Sequence, residues 1–80
     1  MNLSLLGVDM YQIYVKNLVL GTEDVVPGGF PTLASAQGAL WTLAGDYENQ
    51  GLVSHKTDLD VTVEDPHLGQ DIYELYIDKD

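Results

Sequence analysis

Tyr11, Ile13 and Val15 alternate with Gln12, Tyr14 and Lys16, a period of two in residues that are largely β-branched or aromatic. That spacing puts one set on each face of an extended chain, so residues 11–16 read as a half-buried strand. Leu18, Val19 and Leu20 follow directly. Asn tolerates positive φ, so a two-residue turn at Lys16-Asn17 would make this second apolar run the return strand of a hairpin. Tyr11, Tyr14, Val15, Leu18 and Val19 also fit helical spacing, which keeps a helix as the competing reading. The β-branched content favours the strand.

Pro27-Gly28-Gly29-Phe30-Pro31 interrupts whatever precedes it, and Thr32 then stands where a helix N-cap belongs. Leu33, Ala36, Leu40, Leu43, Ala44 and Tyr47 recur at steps of three and four, which places them on one helical stripe, and Gly51 is a natural stop. A second stripe carries Ala34, Gly38, Trp41 and Gly45. No charged residue occurs from Thr32 to Gly45, whereas a helix with one wet face normally carries several. Each glycine inside a helix costs about 1 kcal/mol relative to alanine, a cost that close approach of another backbone would offset. Two arrangements fit this helix: burial against its own sheet and N-terminal segment, or a homodimer formed through Ala34, Gly38, Trp41 and Gly45.

Beyond Gly51, residues 52–64 read as one amphipathic strand, with Leu59, Val61 and Val63 on one face and Asp58, Asp60, Thr62 and Glu64 on the other. Residues 65–70 are turn material. A last strand over residues 71–78 has Tyr73, Leu75 and Ile77 on one side, completing a C-terminal hairpin. The expected fold is α+β, a small antiparallel sheet with one helix packed on one face in the order ββαββ. It forms a single domain over residues 1–80.

Composition changes the picture in one respect. Thirteen Asp and Glu residues face three lysines and no arginine, giving a net charge of −10, and ten of the thirteen acids lie in the last thirty-five residues. A field of that sign attracts cationic surfaces and repels phosphate and anionic lipid. Three lysines cannot neutralise enough phosphates for direct nucleic-acid binding. The absence of cysteine removes disulfides and thiolate zinc sites. Residues 1–10 lack the basic start of a signal peptide and the length of a membrane span, so a cytoplasmic, membrane-free setting is expected. At eighty residues, a single core supplies only a few kcal/mol of net stability, and self-association would add to it.

The candidate chemistry lies in the C-terminal hairpin. Its outward side presents Asp58, Asp60 and Glu64 beside Ile72, Glu74, Tyr76 and Asp78, an array of carboxylates at intervals of about 6.6 to 6.8 Å along each strand. Like charges across strands are mildly destabilising. The array is therefore either a solvated face that confers solubility or a partner-binding face, and Tyr76 and Ile72 supply the amphipathic anchors that protein interfaces use. A calcium loop would need glycine at its sixth position, where counting from Asp58 gives Val63, so no metal or other cofactor is expected. Ser54 and His55 are neighbours on a strand and point apart, so they cannot pair as nucleophile and base. His55 and His67 read as an exposed strand residue and a turn residue. No catalytic constellation is present, and an enzyme is not expected.

The missing arginine, the acidic segment over residues 58–80 and the lack of a catalytic constellation together give a chain that resembles the small acidic inhibitors encoded by bacteriophages, anti-CRISPR proteins and other DNA mimics among them. That resemblance implies a protein acting in the host cytoplasm, where it occupies the basic nucleic-acid channel of a defence complex and blocks DNA or guide engagement. Members of the class differ widely in fold and target, so it assigns no individual residue. The alternative is a structural or accessory module, such as a small virion or complex subunit, assembling through the uncharged helix.

Overall fold

A computed structural model describes residues 10–79. The expectations for the N-terminal segment before them lie outside the described residues. The elements run β1 (Tyr11–Asn17), β2 (Thr22–Val25), α1 (Leu33–Asn49), β3 (Val53–Lys56), β4 (Asp60–Asp65) and β5 (Gln70–Lys79). All pairings are antiparallel, in the order β2-β1-β5-β4-β3, so the C-terminal strand occupies the centre of the sheet. The α+β class, with one helix and an antiparallel sheet, is as expected. The detail differs: five strands in the order ββαβββ replace four.

Both departures come from turns that side chains build. After β1, the Asn17 side-chain oxygen accepts from the backbone N–H groups of Val19 (3.0 Å) and Leu20 (2.9 Å), and Gly21 closes the turn at φ 72°. Asparagine readily satisfies such a turn, and glycine takes the left-handed position without penalty. Leu18, Val19 and Leu20 therefore form the connection rather than the return strand and are 37%, 58% and 72% exposed. The returning strand is the more polar β2, whose four residues are all exposed.

The second departure falls within residues 52–64. The Thr57 hydroxyl accepts from the backbone N–H groups of Leu59 (3.2 Å) and Asp60 (3.0 Å) and donates to the Asp60 carboxylate. This folds the stretch into the β3–β4 hairpin. The alternation of Val61 and Val63 is real but does not extend back through Leu59, which lies exposed before β4.

The helix begins as expected. Thr32 is the N-cap, its hydroxyl accepting from the Ser35 N–H (3.1 Å) while Ser35 reaches back to the Thr32 N–H (3.4 Å), a reciprocal capping arrangement. At the far end, Gly51 sits at φ 74° and donates to the Glu48 carbonyl (3.0 Å). The helix lies over β1, β5, β4 and β3. Ala36, Leu40 and Ala44 are its buried residues and meet Ile13, Val61, Val63, Leu75 and Ile77 from the sheet. Two alanines flanking one leucine let the helix approach closely, and no polar side chain is buried in this core among the described residues. Leu33 and Leu43, expected on the same stripe, fall at its margins and stay over a third exposed. No helix of the described residues is long and apolar enough to cross a membrane.

Candidate functional site: the helix-free face of the sheet

Because α1 covers one face only, alternate residues of all five strands project from the other. The pairing registers determine which of them become neighbours. One row runs Glu23, Lys16, Glu74, Thr62 and His55 across β2, β1, β5, β4 and β3. The next runs Val25, Tyr14, Tyr76 and Asp60, and beyond it Gln12 pairs with Asp78. In these rows each acidic residue is set beside tyrosine, threonine, glutamine or lysine, which limits the cross-strand repulsion that adjacent carboxylates would cause; only beyond them do two acids, Glu64 and Asp71, oppose each other among the described residues.

Two tyrosines occupy the middle. The rings of Tyr14 and Tyr76 stack with centroids 5.4 Å apart and planes 23° from parallel. The Tyr76 hydroxyl reaches past β1 and donates to Glu23 Oε2 on β2 (2.5 Å). This bond ties the central strand to the edge strand through side chains alone. It also pushes the Tyr76 phenol up to about 12, because Glu23 accepts its proton, partial burial disfavours a phenolate, and the charges of Glu23, Asp78 and Glu74 add to the effect. Tyr76 therefore remains a hydrogen-bond donor throughout the physiological range.

The expected site residues divide into three groups. Asp60, Glu74, Tyr76 and Asp78 come together around the ring pair. Glu64 lies farther along β4, beside Asp71, where the register shifts after Val63. Asp58 and Ile72 do not join the face. Asp58 sits in the β3–β4 turn, where its carbonyl accepts from Gln37 Nε2 (3.1 Å), and Ile72 falls at the register shift, where it packs against the core. Strict alternation ends at both places, at the β3–β4 turn for Asp58 and at the irregular β4–β5 pairing for Ile72.

Glu23, Tyr14 and Lys16 belong to the face but were not expected there. The alternation of β1 does put Tyr14 and Lys16 on its outer side. That they neighbour β5 depends on a pairing between strands more than fifty residues apart, which no local pattern encodes. Glu23 joins the face because the Asn17 turn makes Leu18–Leu20 the connection and moves the return strand to Thr22–Val25. Lys16 stands in register between Glu23 and Glu74 and closes no ion pair among the described residues. Lys56 lies on the helix side, bound to Glu48 (2.8 Å) with its ammonium 5.8 Å from the Trp41 ring.

The second stripe of α1 points away from the sheet. Trp41 is 44% exposed, and a Cβ added at Gly38 or Gly45 would meet nothing within 4 Å among the described residues. The sheet therefore does not account for these glycines. No group of three or more metal-binding side chains occurs among the described residues. Ser54 Oγ donates to the Asp71 carboxylate (2.9 Å), and His67 lies in the turn between β4 and β5.

The chain matches no protein-family model, and comparisons with curated proteins and with solved structures found no match.

Proposed function

We propose that this protein is a small acidic inhibitor that binds a positively charged protein surface and keeps nucleic acid off it, as phage-encoded anti-CRISPR proteins do. One observation carries the reading: an open sheet face on which a stacked tyrosine pair is rimmed by Glu23, Asp60, Glu74 and Asp78, with Lys16 the chain's one lysine among them. The fold holds these carboxylates on hydrogen-bonded strands, so they offer a basic partner charges at set spacings without the backbone ordering cost of an unstructured acidic tail. Charge of this sign accelerates encounter with cationic surfaces. Nucleic acid is a competitor for such surfaces and not a ligand of this one.

The test is displacement. Guide-loaded CRISPR effector complexes are incubated with fluorescent target DNA and increasing protein at 0.05 M and 0.2 M salt. Release of the DNA that weakens steeply with salt supports the reading. Bound DNA that is never displaced, or displacement indifferent to ionic strength, argues against it.

The uncovered stripe of Gly38, Trp41 and Gly45 favours a second reading, an accessory module that self-associates through α1. Sedimentation decides it: a monomer at high concentration removes this reading and leaves the first intact.

A further inference from the structure

We infer that the Tyr14–Tyr76 pair is a seat for an arginine side chain of the basic partner, an inference that rests on the reading of this face given above. Two stacked aromatic rings on an open antiparallel sheet form a platform for a planar group. Such a platform suits a nucleobase in proteins whose surrounding surface is basic. Here the surroundings are Glu74 and Asp78, two residues to either side of Tyr76 on the same strand, Asp60 in register with it on β4, and Glu23 hydrogen-bonded to its hydroxyl. Phosphates flanking any base would meet these carboxylates, so the platform's ligand is a cation.

The two biological side-chain cations differ in what they gain there. An ammonium is a compact, strongly hydrated point charge that interacts with any exposed carboxylate about equally. A guanidinium is planar, weakly hydrated, stacks on aromatic faces and donates to carboxylates in a fixed fork. An ammonium can also sit over a ring, as Lys56 does at Trp41, but the guanidinium gains more from ring and rim together, because its plane lies flat on the ring while its fork meets the carboxylates. The Tyr76–Glu23 bond contributes by fixing the ring relative to the edge strand, and a carboxylate accepts at both oxygens, so Glu23 can still receive a guanidinium N–H. Lys16, in register with Glu74 on the adjacent row, is an ammonium, and among the described residues no ion pair or ring contact of it is found.

The experiment titrates the full chain with hexa-arginine and hexa-lysine peptides at equal ionic strength, following the ring protons of Tyr14 and Tyr76 by NMR and affinity by calorimetry. The arginine peptide is expected to bind about two- to fivefold more tightly and to shift both sets of ring protons. The double variant Tyr14→Leu/Tyr76→Leu, checked for folding by circular dichroism, should lower arginine affinity to that of lysine. The variant Tyr76→Phe keeps the ring and should retain most of the difference. Equal binding of the two peptides without ring shifts overturns the arginine seat but leaves an acidic binding face. Failure of both peptides to bind at low salt overturns the proposed function and the seat with it.

Discussion

Replacing Glu23 and Glu74 with glutamine and Asp78 with asparagine removes three negative charges from the open face while keeping an acceptor oxygen at each position. Glutamine at position 23 can still receive the Tyr76 hydroxyl, so the design separates charge from structure. A partner cation about 5 Å from each carboxylate gains about 0.8 kcal/mol per pair in water, or about 2.5 kcal/mol for three. Screening reduces this according to the Debye length, about 30 Å at 0.01 M and about 8 Å at 0.15 M. The surviving contributions are about 2.1 and 1.3 kcal/mol. At about 1.4 kcal/mol per decade, the triple variant should bind hexa-arginine about 30-fold more weakly than the parent at 0.01 M salt and about ninefold more weakly at 0.15 M. Fluorescence anisotropy with a labelled peptide at the two concentrations measures both ratios, and thermal melting monitors the fold, which should be unchanged or slightly more stable once the like charges are gone. An equal loss at both salt concentrations, or none at either, would refute the electrostatic account of this face.

Three further outcomes follow from the same geometry. One of the five tyrosines should ionise with a midpoint near pH 12 in a 295 nm absorbance titration, and Glu23→Gln should bring that midpoint down towards 10. Because the folded state holds this proton more tightly than the unfolded chain, its stabilising contribution is complete below pH 10 and is lost as pH rises towards 12; denaturant unfolding across that window should show the fall. Leu40 is fully buried between the helix and the sheet, so Leu40→Ala should cost about 3 kcal/mol and lower the melting temperature by about 12 to 24 °C, and a shift of only a few degrees would contradict the core assignment. Gly38 lies in helical backbone with open space where a Cβ would go, so Gly38→Ala should stabilise an isolated monomer by about 1 kcal/mol; a loss of stability that grows with protein concentration would instead reveal a second backbone against that helix.

Legibility in the sequence followed the range of the interaction concerned. The capped helix could be read because Thr32 at one end and Gly51 at the other act within a turn of the chain. The inward set of β5 could be read because Tyr73, Leu75 and Ile77 alternate without interruption. The return strand and the β3–β4 hairpin could not, since turn chemistry overrides the hydrophobic pattern at both places: Asn17 and Thr57 each supply one side-chain oxygen that captures two backbone N–H groups. The face itself was half legible. Asp60, Glu74, Tyr76 and Asp78 follow from two adjacent strands joined by a short turn, whereas Tyr14, Lys16 and Glu23 enter only because β5 pairs with β1.

That long-range pairing explains how so acidic a chain can gather Glu23, Asp60, Glu74 and Asp78 around one ring pair. Had β5 sat at an edge, Glu74, Tyr76 and Asp78 would border solvent or the acidic residues of a single neighbour. In the centre, it has β4 on one side and β1 on the other, and the registers give Glu74 a threonine and a lysine, Tyr76 an aspartate and a tyrosine, and Asp78 a glutamine. Neutral or cationic neighbours flank Glu74, and Gln12 faces Asp78, so the repulsion that opposes folding is diluted within the sheet. The summed field above the sheet is not diluted, because an approaching partner experiences all the carboxylates together. The same arrangement that makes the charge tolerable to the fold therefore preserves it for a cationic partner. Exchanging Thr62 for glutamate, which would set a like charge directly beside Glu74, should separate the two effects: lower thermal stability, with affinity for a polybasic peptide held or raised. A variant that lost both while remaining folded would show that the face depends on its particular contacts and not on its collective charge.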